Sequence, residues 1–201
     1  MTRARIISVV CVALACVPVA TAAASAPATG EQAAPTIRWT DDEVTRIGSL
    51  NTASKTRPPT IARAIAAFGR PSSTKRTSRV ACTLGWRKLG LRATFVSLGA
   101  AFPTKTTCVQ RLGVMQTANV YGSGLRTQGG LQVGDSVSRL KELHPEAYFQ
   151  DGCFWLATMP VVTGSTEENQ RTWVVRALAS GGIVRRIGLR IAAAGADPPP
   201  G

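Results

Sequence analysis

The clearest alternation of apolar and polar positions lies in the run VACTLGWRKLGLRATFVS, residues 80–97. Such alternation is typical of a half-buried β-strand. A tight turn at Lys88-Leu89 predicts a hairpin whose facing pairs are Cys82 with Phe95, Leu84 with Ala93, and Trp86 with Leu91. The large apolar side chains then share one face, and the other face holds Thr83, Arg87, Arg92 and Thr94.

Three segments have features of short helices. One follows Pro58-Pro59-Thr60 and ends at Gly69 and Pro71, with its apolar side formed by Ile61, Ala64, Ile65 and Phe68. Another begins at the cap motif Gly134, Asp135 and Ser136, in which Asp135 or Ser136 is the N-cap, and ends at Pro145. A third is predicted over residues 40–47, because Thr40 and Glu43 have capping-box spacing.

Further strands are expected at residues 114–120, 147–150 and 153–159, and in a last hairpin of 172–179 with 183–192. A three-residue loop, Ser180-Gly181-Gly182, gives that hairpin an apolar face and a face with Arg176, Arg186 and Arg190. In this register Arg176 and Arg186 are directly opposed and repel each other.

The order of helix and then strands therefore occurs twice along the chain. The predicted fold class is α+β, an antiparallel sheet with short helices on one side, built from two tandem helix-then-strands units. We place the basic first unit at residues 39–125 and the second at 126–192. Residue identity between them is slight, so an undivided α+β domain is the alternative. Residues 25–38 are expected to be a disordered tether and residues 193–201 a disordered tail.

Residues 1–24 have the pattern of a secretory signal peptide. Arg3 and Arg5 precede an apolar run, and small residues suited to cleavage follow it. A retained membrane anchor is one alternative, which Pro18 disfavours. A lipoprotein signal with Cys16 lipidated is another, although Leu14 lies two places before Cys16 rather than the usual three. We expect a secreted or extracytoplasmic protein, free or envelope-associated, with no transmembrane segment after processing and an undetermined oligomeric state.

Removal of the signal leaves Cys82, Cys108 and Cys153. An oxidising compartment favours one disulfide, and the sequence allows three pairings. We favour Cys82 with Cys108, because the predicted hairpin brings the chain after Phe95 back along the strand that holds Cys82. Cys153 lies in the apolar run GCFWLAT and is then a buried thiol.

The charge of the chain is strongly uneven. It has 24 Lys and Arg against 11 Asp and Glu, and no acidic residue occurs between Val44 and Gly134. One interpretation is a solvated surface that keeps a secreted protein soluble. The other is a binding surface for an acidic wall polymer, anionic lipid or acidic protein, with nucleic acid least favoured. The predicted contact set is Lys75, Arg76, Arg79, Arg87, Lys88 and Arg92.

Catalytic chemistry has little support in the residue types. Gly134-Asp135-Ser136 has the letters of some serine hydrolases, but these need a histidine base held by a carboxylate, and His144 is the sole histidine. One histidine and three scattered cysteines do not form a metal cluster, and no glycine loop has phosphate-binding spacing. We therefore predict a non-catalytic binding protein without a cofactor. The alternative is an unrecognised hydrolase in which His144 lies beside Ser136 or Cys153 with a third, orienting group.

The run GLQVGDSVSRLKELHP and the upstream Cys-x3-Trp strand of Cys82 to Trp86 resemble a group of uncharacterised secreted bacterial proteins. These share a G-L-x-V-G-D-S stretch followed by a short helix, and the resemblance implies no activity. More distantly, a short helix leading into an antiparallel sheet resembles the SmpA/BamE-like fold, duplicated in the β-lactamase inhibitor protein. That resemblance implies an inhibitor or envelope adaptor that presents a sheet face to a specific protein, with exposed aromatic side chains expected on that face.

Overall fold

The computed structural model describes residues 34–40, 43–53, 57–97, 107–110, 113–160 and 171–191. The predicted signal peptide and tail, and most of the predicted tether, lie outside the described residues. The first half of the described chain contains β1 Thr36–Trp39, β2 Val44–Ile47, β3 Leu50–Asn51, α1 Ile61–Phe68, β4 Ser73–Arg76, β5 Ala81–Trp86, β6 Leu91–Val96, α2 Thr107–Gln110 and β7 Val114–Val120. The second half contains β8 Arg126–Thr127, α3 Val137–Leu143, β9 Tyr148–Gln150, β10 Cys153–Pro160, β11 Arg171–Ser180 and β12 Ile183–Arg190.

One large antiparallel sheet joins the two halves. Its eight strands lie in the order β4-β5-β6-β7-β12-β11-β10-β9. Each half supplies a helix and then four strands, and the two sets meet where β7 pairs with β12. The α+β class is therefore confirmed. Each half has a helix followed by strands, and we call the β7–β12 pairing that joins the halves the seam. The proposed boundary between residues 125 and 126 stays a prediction, because the sheet is continuous across it.

The predicted first hairpin is confirmed in register. Cys82 faces Phe95, Leu84 faces Ala93, and Trp86 faces Leu91. A 3-10 turn at Arg87–Leu89 reverses the chain, and Gly90 closes it with a left-handed φ of 60°. Glycine suits this position because a positive φ is costly for other residues.

The core lies on one face of the large sheet. A continuous row of paired apolar residues crosses six strands on this face: Trp86, Leu91, Val120, Ile187, Ala177 and Phe154. Helix α1 packs here, since Phe68 meets the Trp86 ring edge-on at 5.2 Å and the Trp86 indole donates to the Gly69 carbonyl at 2.9 Å. Leu140 of α3 is fully buried in the same core.

Both predicted helices around this core are confirmed. Thr60 caps α1 by accepting from the Arg63 amide at 3.4 Å, and Gly69 ends it. Ser136 caps α3 by accepting from the Arg139 amide at 3.1 Å. In the described ranges, no helix is long and apolar enough to cross a membrane.

The predicted helix at residues 40–47 is wrong. Strands β1 and β2 form an antiparallel hairpin there, and the Thr40 amide donates to the Glu43 carbonyl at 2.9 Å. Spacing alone does not distinguish a helix cap from a hairpin turn, whereas pairing does, because Ile37 faces Ile47 and both are fully buried. Strand β1 also begins at Thr36, within the range predicted to be a disordered tether.

The last hairpin has a shorter turn than predicted. Gly181 and Gly182, with φ of 61° and 74°, connect Ser180 to its partner Ile183. This is the two-residue turn whose twist suits a hairpin. A register shift next to Leu178 places that residue opposite Arg186, so the predicted opposition of Arg176 and Arg186 is wrong.

A disulfide joins Cys82 of β5 to Cys108 of α2, while Cys153 is a buried free thiol. This is the pairing favoured from the sequence. The bond anchors α2 to the sheet, where the Thr107 amide also donates to the Arg79 carbonyl at 3.2 Å.

Replacing both Cys82 and Cys108 with alanine should lower the free energy of unfolding by about 3 kcal/mol, because the bond closes a loop between residues 26 positions apart. Urea denaturation measures the change. Reductant should lower the midpoint of the native protein and leave the double variant unchanged. An equal response of both proteins would contradict a stabilising role for this bond.

Candidate binding face

The face of the large sheet opposite the core is polar. Directly paired residues share a face of an antiparallel sheet. One row of consecutive partners on this face crosses all eight strands: Ser73, Gly85, Arg92, Asn119, Gly188, Arg176, Trp155 and Tyr148. We call this surface the polar face. Trp86 and Trp155 are therefore on opposite faces, although each lies in a strand after its helix.

Among the side chains that the structure describes, five cations lie on the polar face: Lys75, Arg92, Arg176, Arg186 and Arg190. None of the described strands contains Asp or Glu. Acidic residues in the described ranges lie in turns, in loops and on α3: Glu43, Asp135, Glu142, Glu146 and Asp151. Within the described residues, the polar face therefore gathers cations from both halves of the chain.

Four of these arginines surround the seam, and we call them the seam cluster: Arg92, Arg176, Arg186 and Arg190. Arg92 pairs with Asn119 of β7, which pairs with Gly188 of β12, which pairs with Arg176. Three strand spacings therefore separate Arg92 from Arg176, or about 14 Å between backbones. Arg186 and Arg190 lie two residues before and after Gly188, about 7 Å away along β12.

Gly188 gives the seam cluster its shape. A Cβ atom at this position would lie 3.3 Å from Cγ of Arg176 and 3.6 Å from Oδ1 of Asn119. The absent side chain thus leaves space over Gly188 that Arg176 occupies, so its stem leans from β11 toward the seam.

Aromatic rings accompany the arginines. The Arg92 guanidinium lies 5.3 Å from the ring centre of Tyr121, the residue that follows β7. Tyr148 and Trp155 rings are 5.5 Å apart at the other end of the row. Tyr121 and Tyr148 are 46% and 39% exposed, and they are the two tyrosines of the chain.

The six predicted contact residues do not form one surface. Lys75 and Arg92 lie on the polar face, whereas Arg87 and Lys88 lie in the exposed β5–β6 turn. Arg76 pairs with Cys82 at the edge of the core face, and Arg79 lies in the loop after β4. The other seam arginines were predicted to share a face of their hairpin. No local sequence pattern predicted that these arginines lie near Arg92, because their proximity depends on the pairing of β7 with β12.

The cap motif has a structural role in this fold. Ser136 caps α3, and Asp135 accepts from the Gln132 amide at 2.7 Å. Gly134 has a φ of 106°, which favours glycine. On the first turn of α3, a hydrogen bond to Glu142 raises the pKa of Arg139 above its already high value, so this guanidinium stays charged.

His144 is 3% exposed and lies in a separate hydrogen-bonded cluster. Its Nε2 is 3.1 Å from the Thr127 hydroxyl, and its Nδ1 is 3.2 Å from a carboxylate oxygen of Glu146. The Thr127 hydroxyl also accepts from the Leu131 amide at 3.0 Å. Trp39 of β1 covers the imidazole, with ring centres 5.7 Å apart.

This hydroxyl, imidazole and carboxylate stand in the order of a catalytic triad, but Thr127 is fully buried. A substrate therefore has no access to the hydroxyl in this conformation. The hydrolase hypothesis required His144 to lie beside Ser136 or Cys153. In the structure, the hydrogen bonds of the His144 imidazole are made with Thr127 and Glu146 instead. We assign the cluster to stability, since it ties β8 and the end of α3 to β1. Within the described ranges, no three His, Cys, Asp or Glu side chains form a group suited to a metal.

Comparison with known proteins adds little to this site. No family model matches the chain, and no curated protein matches it. Among solved structures, an extracellular protein containing an SCP domain from Bacillus anthracis is similar at 11% identity and a TM-score of 0.39. The similarity covers 78% of this chain and 51% of that one, so the chain spans about half the length of that neighbour.

Replacing Thr127 with valine should lower the free energy of unfolding by about 1–3 kcal/mol, because the Leu131 amide and His144 lose a buried partner. Thr127→Ser keeps the hydroxyl and should cost roughly 1 kcal/mol for the lost methyl group. Thermal or urea denaturation compares the two variants. An unchanged free energy of unfolding in Thr127→Val would show that the hydroxyl contributes nothing to stability.

Proposed function

We propose that the protein is a secreted, non-catalytic binding module whose polar face engages an anionic partner outside the cell. The partner is an acidic envelope polymer, an anionic lipid surface or an acidic protein. The observation that carries this proposal is the gathering of cations from both halves on one face whose described strands have no acidic residue.

The seam cluster supports binding rather than mere solubility. Charges spread over a surface keep a protein soluble, whereas cations gathered on one face act together on an anion. Arg176 and Arg190 lie on adjacent strands, and Arg92 is opposite Asn119, the neighbour of Gly188. A single anionic partner over the seam would therefore lie close to cations from both halves of the chain.

A second candidate is an inhibitor or envelope adaptor that binds a specific protein through the same face. The exposure of Tyr121 and Tyr148 favours it. Tyrosine and arginine are enriched at the energetic centres of protein interfaces, since tyrosine buries an apolar ring and still offers a hydroxyl.

Extracellular location belongs to the proposal as well. The features of residues 1–24 fit export, and the bond between Cys82 and Cys108 is of the kind that persists in oxidising compartments.

Retention of the full protein on a poly-L-glutamate column should fall steeply with salt, because screening weakens contacts between exposed charges. Replacing Arg92 and Arg176 with glutamine should weaken retention roughly tenfold at moderate salt. The matched control is Arg38→Gln with Arg46→Gln, which removes the same charge from two exposed, facing residues of the separate four-stranded sheet β3-β2-β1-β8.

Equal losses in the two double variants would mean that net charge, not the polar face, governs retention. Salt-insensitive retention, or none, would contradict the proposal as a whole.

A further inference from the structure

We propose that a cleft between α1 and β3 binds the carboxylate of a small organic acid that has an apolar body. This site goes beyond the proposed function and does not rest on it. Helix α1 packs on the core face of the large sheet, so the cleft lies away from the polar face. We call it the α1–β3 cleft, and its two walls are Ser49, Leu50 and Asn51 on the strand side and Arg63, Ala66 and Ala67 on α1.

The size and floor of the α1–β3 cleft suit the apolar part of a small molecule. Its volume is about 460 Å³, within the usual range for small-molecule sites. Leu50 is 4% exposed and belongs to the core, and the methyl groups of Ala66 and Ala67 form the helix wall above it. An apolar group placed there is removed from water at the edge of the existing core.

The two walls are held together by the fold. The Ser49 hydroxyl donates to the Ala67 carbonyl at 3.2 Å, which fixes the turn before β3 against the end of α1. Because this contact spans the cleft, the site is formed before any ligand arrives. A preformed site loses little conformational freedom on binding.

Arg63 supplies a cation whose position is restrained. It shares one side of α1 with Ala66 and Ala67, since the three residues have i, i+3 and i+4 spacing. Its Nη1 donates to the Arg57 carbonyl at 2.6 Å. A guanidinium has five N–H donors in a planar fork that matches a carboxylate, so this one bond orients the group without using it up. Asp and Glu are absent from the lining residues that the structure describes.

Asn51 adds a second donor on the opposite wall. Its Oδ1 accepts from the Ala53 amide at 3.1 Å, so the other end of the side-chain amide is Nδ2, which only donates. Donors on both walls favour an anion over a cation or a neutral ligand. The apolar floor favours an anion whose charge lies at one end, as in a carboxylic acid, over inorganic phosphate, which is charged on all sides.

The first test is a titration of the full protein with acetate, butyrate and hexanoate, followed by the NMR shifts of backbone amides. Each added methylene should raise affinity roughly fourfold, because it is buried against Leu50 and the alanines. The shifts should concentrate at residues 49–51 and 63–67. Hexanol has the same apolar body without the charge and should bind roughly tenfold more weakly than hexanoate. Equal affinities for acetate and hexanoate, or for hexanol and hexanoate, would overturn the proposal.

The second test fills the cleft. Ala66→Leu places a larger side chain on the helix wall and should weaken hexanoate binding by more than about tenfold. Ala62→Leu is the matched control, because Ala62 is also exposed on α1 but is not among the lining residues. Leucine is nearly as good a helix former as alanine, so both variants should fold. Equal hexanoate affinities in the two variants would show that binding occurs elsewhere.

The third test removes the cation. Arg63→Gln should weaken hexanoate binding roughly tenfold and leave hexanol binding unchanged, whereas Arg70→Gln, at an exposed position after α1, should change neither. Equal losses for hexanoate and hexanol in Arg63→Gln would mean that Arg63 only supports the fold, which overturns its role as the carboxylate ligand. Retention of Ala66→Leu on poly-L-glutamate should match that of the unaltered protein, so failure here and failure of the proposed function are separate results.

Discussion

The pairing of β7 with β12 is the contact on which the rest of the structure depends. Four register pairs join these strands, among them Val120 with Ile187 and Asn119 with Gly188. The first pair continues the apolar row, so both halves share one core. The second continues the polar row, so the same hydrogen bonds bring arginines from distant parts of the chain together. A slip of one residue at this seam would exchange the two faces and destroy both.

The two faces obey different constraints. Burial on the core face demands close packing of large apolar side chains, and Trp86, Phe95 and Ile187 meet it. The polar face has more freedom, and it gathers arginines from both halves of the chain. Local contacts order this cluster, because Arg92 lies beside the ring of Tyr121 and Arg176 occupies the space over Gly188. The His144 cluster illustrates the opposite case, in which polar groups satisfy one another within the fold.

Much of the local structure could be predicted from the sequence. The register of β5 with β6 followed from the alternation of Cys82, Leu84 and Trp86 together with the tight turn at Lys88-Leu89, because the turn fixes which residues of a hairpin face each other. Helices α1 and α3 followed from their caps at Thr60 and Ser136. The β1–β2 hairpin was missed because capping-box spacing also fits a turn. In the last hairpin, Gly181 and Gly182 after Ser180 form a two-residue turn, so the pairing differs from the one predicted with a three-residue loop.

The candidate site was only half visible in the sequence. The alternation of the last hairpin predicted that Arg176, Arg186 and Arg190 share one face. The alternation of the first hairpin put Arg92 on the face opposite its large apolar side chains. The excess of basic residues led us to predict Arg76, Arg79, Arg87 and Lys88 as contact residues, but in the fold they do not lie on the polar face. Periodicity determined which residues share a face of each strand, because the backbone alternates within a few residues. Only the tertiary structure decided which strands are neighbours, because that choice depends on hydrogen bonds between residues far apart in the chain.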